Sequence, residues 1–180
     1  MTAIATQILS VLTILAQAIS VFLLVALLAR RRFAPQLKFF GDNAIIFSFV
    51  AALIAMSGSL FYSEVAGYAP CTLCWYQRIL MYPQVFLLGL ALLRKSRDII
   101  PYALLLSGIG AVIAGYHYLL QIGIAPELPC AATGYSAACS QRFILTFGYI
   151  TIPMMAFSAF ALIVLLMLVS RRKESNLTAS

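Results

Sequence analysis

The sequence predicts an all-α integral membrane protein, a four-helix transmembrane bundle with one extra N-terminal transmembrane helix, five spans in a single domain. Of its 180 residues, 63% are apolar and only 9% are charged, and mean hydropathy is +1.01, a balance foreign to soluble domains. Five apolar stretches come close to or exceed the ~20 residues that carry a helix across a hydrocarbon core of roughly 30 Å. The basic residues, finally, fall almost entirely into alternate connections.

The first stretch, residues 4–29, has no Lys or Arg ahead of it and Arg30, Arg31 and Arg32 directly behind it. That is the reverse of a secretory signal's charge order, so residues 1–32 are expected to be a retained helix. Its Gln7, Ser10, Thr13, Gln17 and Ser20 are more polar groups than a lipid-facing anchor needs, and some are expected to face another helix. The remaining stretches, 44–62, 79–93, 99–120 and 145–169, form a core spanning 44–170. The third is short, so its helix is expected to begin near Cys74, with Trp75, Tyr76 and Tyr82 as interfacial anchors. The polar tail, 174–180, is expected to be unstructured.

Lys and Arg near membrane ends stay on the cytoplasmic side. Arg30, Arg31, Arg32 and Lys38, then Arg94, Lys95 and Arg97, then Arg171, Arg172 and Lys173 account for all but two of the 12 basic residues. This places the N-terminus and the loops 63–73 and 121–144 outside and the C-terminus in the cytoplasm. All four cysteines then lie in or beside the outer loops. The net charge of +7 follows from this asymmetry and from attraction of basic clusters to anionic lipid, at ~1 kcal/mol per residue, and implies no nucleic-acid partner.

Cys71-Thr72-Leu73-Cys74 stands at the start of an apolar helix. A Cys-x-x-Cys can close a disulfide, and the positive end of a helix favours the thiolate that exchanges disulfides. Arg78 follows Cys74 by one turn, so the three side chains share a stripe. Its guanidinium could hold a thiolate or a quinone oxygen, or serve only as a snorkelling anchor. Cys130 and Cys139 occupy the longer outer loop, where the plain alternative is a structural disulfide. Zinc fits less well, because eight residues separate this second pair and its compartment is oxidising. His117, the one histidine, lies near the depth of Arg78 and could face the same pocket or merely pack. Glu64 and Glu127 read as surface charges. No catalytic triad, glycine-rich phosphate loop or intramembrane carboxylate pair is present.

Pro70-Cys71-Thr72-Leu73-Cys74-Trp75-Tyr76-Gln77-Arg78, followed by Met81-Tyr82-Pro83, resembles the Cys-x-x-Cys-x-x-x-Arg signature of the DsbB and BdbC disulfide-bond formation proteins. Residues 147–154, Phe-Gly-Tyr-Ile-Thr-Ile-Pro-Met, resemble the opening of that family's last helix. With the second cysteine pair, the likeness covers roughly residues 44–170. It implies a bacterial inner-membrane relay. A soluble thioredoxin-fold oxidase of the DsbA or BdbD type forms a mixed disulfide with Cys130, and Cys139 resolves it. The loop dithiol is reoxidised by Cys71 and Cys74. Cys74, with Arg78 and His117 nearby, passes electrons to ubiquinone or menaquinone. The extra first helix and the short spacing of the loop pair depart from the family pattern.

A vitamin K epoxide reductase-like protein would also combine a helical bundle, two cysteine pairs and a quinone, but there the loop pair precedes the Cys-x-x-Cys. A membrane scaffold with two structural disulfides is the non-enzymatic alternative; it has no need of an arginine one turn after Cys74.

Overall fold

The computed structural model describes residues 2–126 and 139–178. In order they form α1 (Thr2–Leu28), α2 (Ala34–Asp42), α3 (Ala44–Leu60, continued by one π-helical turn, Phe61–Val65), α4 (Thr72–Arg94), α5 (Ile100–Gln121) and α6 (Ile152–Thr178). All of these but α2 contain a stretch long and apolar enough to cross a membrane, which gives the five spans that hydropathy predicts.

Helix α6 is the hub, packing against α5, α3, α1 and α2, while α4 bridges α3 and α5. Lipid gives apolar faces no hydrophobic reason to associate, so close helix approach depends on small residues and buried polar contacts. On α5 the buried seam is Ala103, Ser107, Gly110 and Ala114. A Cβ on Gly110 would run into the Phe160 ring of α6, whereas Gly108 has open space. Gly110→Ala is therefore expected to destabilise the bundle by about 1–3 kcal/mol through overpacking. Thermal unfolding in detergent should show a lowered midpoint for it and none for Gly108→Ala. Between α4 and α5 the Ser107 hydroxyl donates to Gln84 Oε1 at 2.7 Å, and Gln84 Nε2 donates to the Leu80 carbonyl. Both partners are buried, so this pair sets the register of the two helices in apolar surroundings.

Several polar residues of α1 face protein, as expected. Ser10 and Thr13 are buried, and Gln17 donates to Ser158 Oγ on α6 at 3.0 Å while accepting from the Tyr149 hydroxyl at 2.8 Å. Gln7 is exposed.

The structure departs from the sequence reading in three places. The first connection contains α2, with Pro35 in its first turn, where the fixed φ suits a helix start. Its Phe39 and Phe40 join Phe22, Phe33 and Phe47 in an aromatic cluster. The last span begins at Ile152 rather than 145. Phe147 and Gly148 both take left-handed φ, 52° and 81°, and Thr146 and Ile150 exchange two backbone hydrogen bonds of 2.9 Å around them. Residues 145–151 are thus an apolar turn that hydropathy alone merges with the helix. At the other end, α6 continues as helix through the polar segment to Thr178.

Candidate functional site

The first cysteine pair is set by the start of α4. Cys71 is the N-cap, in extended backbone (φ −76°, ψ 171°), and its sulfur accepts from the Cys74 N–H at 3.4 Å. The cap turns both sulfurs to one side, and as free thiols they lie 3.1 Å apart, Cys71 donating to Cys74. A small rotation brings such a pair to a disulfide. Cys71 is buried and Cys74 half-buried. Although a helix N-terminus favours a thiolate, the hydrogen bond given to Cys74, reinforced by burial, pushes the Cys71 thiol up to about 12. In the dithiol form Cys71 therefore keeps its proton and Cys74 is the acceptor. Alkylation of reduced protein followed by mass spectrometry should find Cys71 unreactive near pH 9, the ordinary thiol range, and reactive only as pH approaches 12. Removing the acceptor with Cys74→Ala should move that profile down.

His117 comes from α5, one turn before its end, and is buried against this pair. Its Nε2 lies 3.0 Å from the Cys139 carbonyl and 3.7 Å from Cys71 Sγ, and its Nδ1 lies 3.0 Å from Gln77 Nε2. A carbonyl only accepts, so Nε2 carries the proton; in the neutral ring Nδ1 then accepts from the Gln77 amide. Gln77, three residues after Cys74, thereby fixes the tautomer. Cys71, Cys74 and His117 offer three ligand atoms within 4.8 Å of one another. Both ring nitrogens are already hydrogen-bonded, however, which favours thiol exchange over metal binding as the use of this trio.

Residues 139–143 fold over the same end of the bundle. Gln121 Nε2 donates to the Gln141 carbonyl at 3.0 Å, and Arg142 Nε donates to the Gln121 carbonyl at 2.6 Å, covering an unpaired acceptor at the end of α5. Phe143 stacks on Tyr68 with centroids 4.9 Å apart, and Tyr68 stacks on Tyr62. These contacts bury Cys139 in one cluster with Cys71, Leu73 and Leu120. Cys130, like Glu127, lies outside the described residues.

Arg78 is held on the other side. Its Nε and Nη2 donate to the hydroxyl and carbonyl of Ser59 on α3, each at 3.0 Å, and the Tyr82 hydroxyl donates to Ser59 Oγ at 3.2 Å. Trp75 lies under the guanidinium, 5.4 Å from Cζ to ring centroid. Nη1 has no hydrogen-bond partner among the described residues.

Two cavities meet at the thiol pair. A small one of about 20 Å³ is lined by Cys71, Cys74, His117, Gln121 and Cys139. A large one of about 510 Å³ is lined at this end by Cys74, Gln77, Arg78 and Ser59, and continues between the helices. Cys74 borders both. His117 borders only the small cavity, so the structure sets it beside the thiols and away from the pocket of Arg78. Ser59, Gln77, Gln121 and Arg142 were not singled out from the sequence. Gln77 and Gln121 carry a faint signal, lying one helical turn after Cys74 and His117.

No solved structure matches the chain. Residues 41–170 match the family model described as "Disulfide bond formation protein DsbB". The chain is 44% identical over 136 residues to a "Probable disulfide formation protein" of Oceanobacillus iheyensis, covering 75% of this chain and 93% of that one. It is 44% identical over 139 residues to "Disulfide bond formation protein C" of Bacillus subtilis, covering 74% and 99%. A "Probable disulfide formation protein" of Metapseudomonas resinovorans is 40% identical over 143 residues, covering 78% and 98%. With the family model spanning most of its length and its cysteine-bearing helices folded around one thiol cluster, this chain belongs to the DsbB family of disulfide bond formation proteins.

Proposed function

We propose that the protein is a thiol:quinone oxidoreductase of a bacterial cytoplasmic membrane that reoxidises a soluble extracytoplasmic thioredoxin-fold oxidase of the DsbA or BdbD type. The observation that carries this reading is the position of Cys74 between a small cavity shared with Cys139 and a large apolar cavity containing Arg78. A sulfur so placed can exchange with a loop cysteine on one side and meet a lipid-borne acceptor on the other.

The reaction balances as partner dithiol plus quinone giving partner disulfide plus quinol, two electrons and two protons moving together. A partner thiolate attacks the Cys130 sulfur of a Cys130–Cys139 disulfide and Cys139 leaves as thiolate; the partner's second thiolate then releases Cys130. The loop dithiol next reduces the Cys71–Cys74 disulfide, and Cys139 is already packed beside Cys71 for this exchange. Quinone, written here as substrate, takes the two electrons and is bound at the Cys74 and Arg78 end of the large cavity. The His117 N–H, directed at the Cys139 carbonyl, orients that backbone over Cys71. Arg78 offers the donor and positive charge that an oxygen gaining electron density needs. Ubiquinone and menaquinone both suit this setting. The positive-inside pattern puts both cysteine pairs on the outer face.

Ser59→Ala removes the hydroxyl that fixes Arg78 Nε. Loss of one hydrogen bond to a charged group, worth about 1.5–3 kcal/mol, should raise KM for quinone about tenfold with smaller change in kcat.

The test is quinone reduction by the full chain in detergent, with a reduced thioredoxin-fold oxidase as donor. Turnover with ubiquinone or menaquinone is expected. No turnover with either, from protein whose cysteines are oxidised, would leave the scaffold with structural disulfides as the better reading. The vitamin K epoxide reductase-like alternative is disfavoured by cysteine order and by the family match.

A further inference from the structure

Helix α1 lies wholly outside the family match at residues 41–170, and relatives that are themselves covered over 93% and 99% of their length match only 75% and 74% of this chain. We infer that α1 is the wall of a binding site for the long apolar tail of the quinone, an inference that rests on the thiol:quinone reading above.

The large cavity carries it. Its volume of about 510 Å³ is that of a small-molecule site. Helix α1 packs on α6 and α2 but not closely on α3, so the flank between α1 and α3 stays unfilled. Leu9, Leu12, Thr13 and Ala16 of α1 line that flank on one helical stripe, with Ile19 beyond them. From Leu9 to Ile19 the helix extends for about 15 Å at 1.5 Å per residue. Near Leu9 the two helices do touch: a Cβ on Gly58 of α3 would be 3.1 Å from the Leu9 side chain.

Polarity changes along the cavity. Its polar side chains gather at the cysteine end: Ser59, Gln77, Arg78 and the tyrosines at 62, 68 and 82. The opposite end is formed by Phe39, Phe40, Phe47 and Leu166. Thr13, midway, has its hydroxyl committed to the Leu9 carbonyl at 2.8 Å, so it presents no donor to the space. An apolar cavity polar at one end only fits an amphiphile with a compact polar head and a long hydrocarbon chain, such as an isoprenoid quinone. The wall is also anchored, since Gln17 of α1 is hydrogen-bonded to both Ser158 and Tyr149. A helix serving only to tether the chain to lipid would have no need of those bonds.

The test compares KM for a long-tail isoprenoid quinone with KM for the same headgroup without its tail. Ala16→Phe, which fills the cavity from α1, should raise the ratio of long-tail to tail-free KM by about tenfold or more. Leu12→Ala, which removes wall contacts without adding bulk, should raise it by about three- to tenfold. Ile8→Phe, on the exposed face, should leave the ratio as in wild type. An unchanged ratio in both Ala16→Phe and Leu12→Ala, while wild type reduces both quinones, would overturn the tail site and leave the cavity to a lipid acyl chain or a second copy. A wild type that reduces neither quinone overturns the parent reading and the tail site with it.

Discussion

Cys74→Ser is expected to bring partner-driven quinone reduction to background, a loss on the order of 10⁴-fold or more, as for removal of an essential nucleophile. Cys74 is the one described cysteine that borders both cavities, so no other described sulfur can take its place. Serine keeps nearly the same volume but closes no disulfide, and the two-electron store at the head of α4 disappears. The remaining thiol has a definite fate. With Cys74 replaced, Cys71 has no partner for a disulfide within its own pair. It can then attack Cys139, packed in the same buried cluster, and release Cys130. Peptide mapping under non-reducing conditions should therefore find a Cys71–Cys139 disulfide accumulating in this variant and not in wild type.

Cys139→Ser should be severe with the protein donor and mild with a small one. In the proposed relay the route from the partner passes through the loop pair, and without Cys139 there is no loop disulfide for the partner thiolate to attack; turnover with the partner should fall by about 10³-fold or more. The first pair stays intact, with its N-cap geometry and its place on the large cavity. A small membrane-permeant dithiol should reduce it directly, so quinone reduction driven by that donor should remain within a few-fold of wild type. Cys130→Ser should match Cys139→Ser with each donor, severe with the partner and mild with the small dithiol. Equal loss with partner and small dithiol in the Cys139 variant would mean that the loop does more than deliver electrons.

The spans were legible because apolar length is a strong signal in a chain with so few charges. Where it misled, local backbone chemistry overrode composition. Residues 145–151 are as apolar as a helix, yet left-handed φ at Phe147 and Gly148 turns the chain there. The nine-residue α2 is too short to register as a span, and its role became visible only in the clustering of its phenylalanines. At the site, Cys71, Cys74 and Arg78 could be placed together because their spacing of three and four residues is that of one helix face. The meeting of Cys139, His117 and Gln77 joins residues from α4, α5 and the segment after the loop, and no periodicity encodes such a meeting. The spacing of residues along α5 gives no direction for the His117 ring, which lines the small cavity beside the thiols and not the cavity of Arg78. Ser59 was hidden for the same reason, an ordinary serine whose importance comes from Arg78 on a neighbouring helix.

The most direct test of the relay is an anaerobic single-turnover experiment that counts electrons. Oxidised protein, quinone and a limiting amount of reduced partner are mixed, and partner disulfide and quinol are both measured. The two-electron chemistry of each couple requires one quinol for every partner disulfide formed, with the Cys71–Cys74 disulfide present again at the end. Partner oxidation that stops at the protein's own disulfides and yields no quinol would contradict the account, because electrons would then enter the thiol cluster without leaving through Cys74.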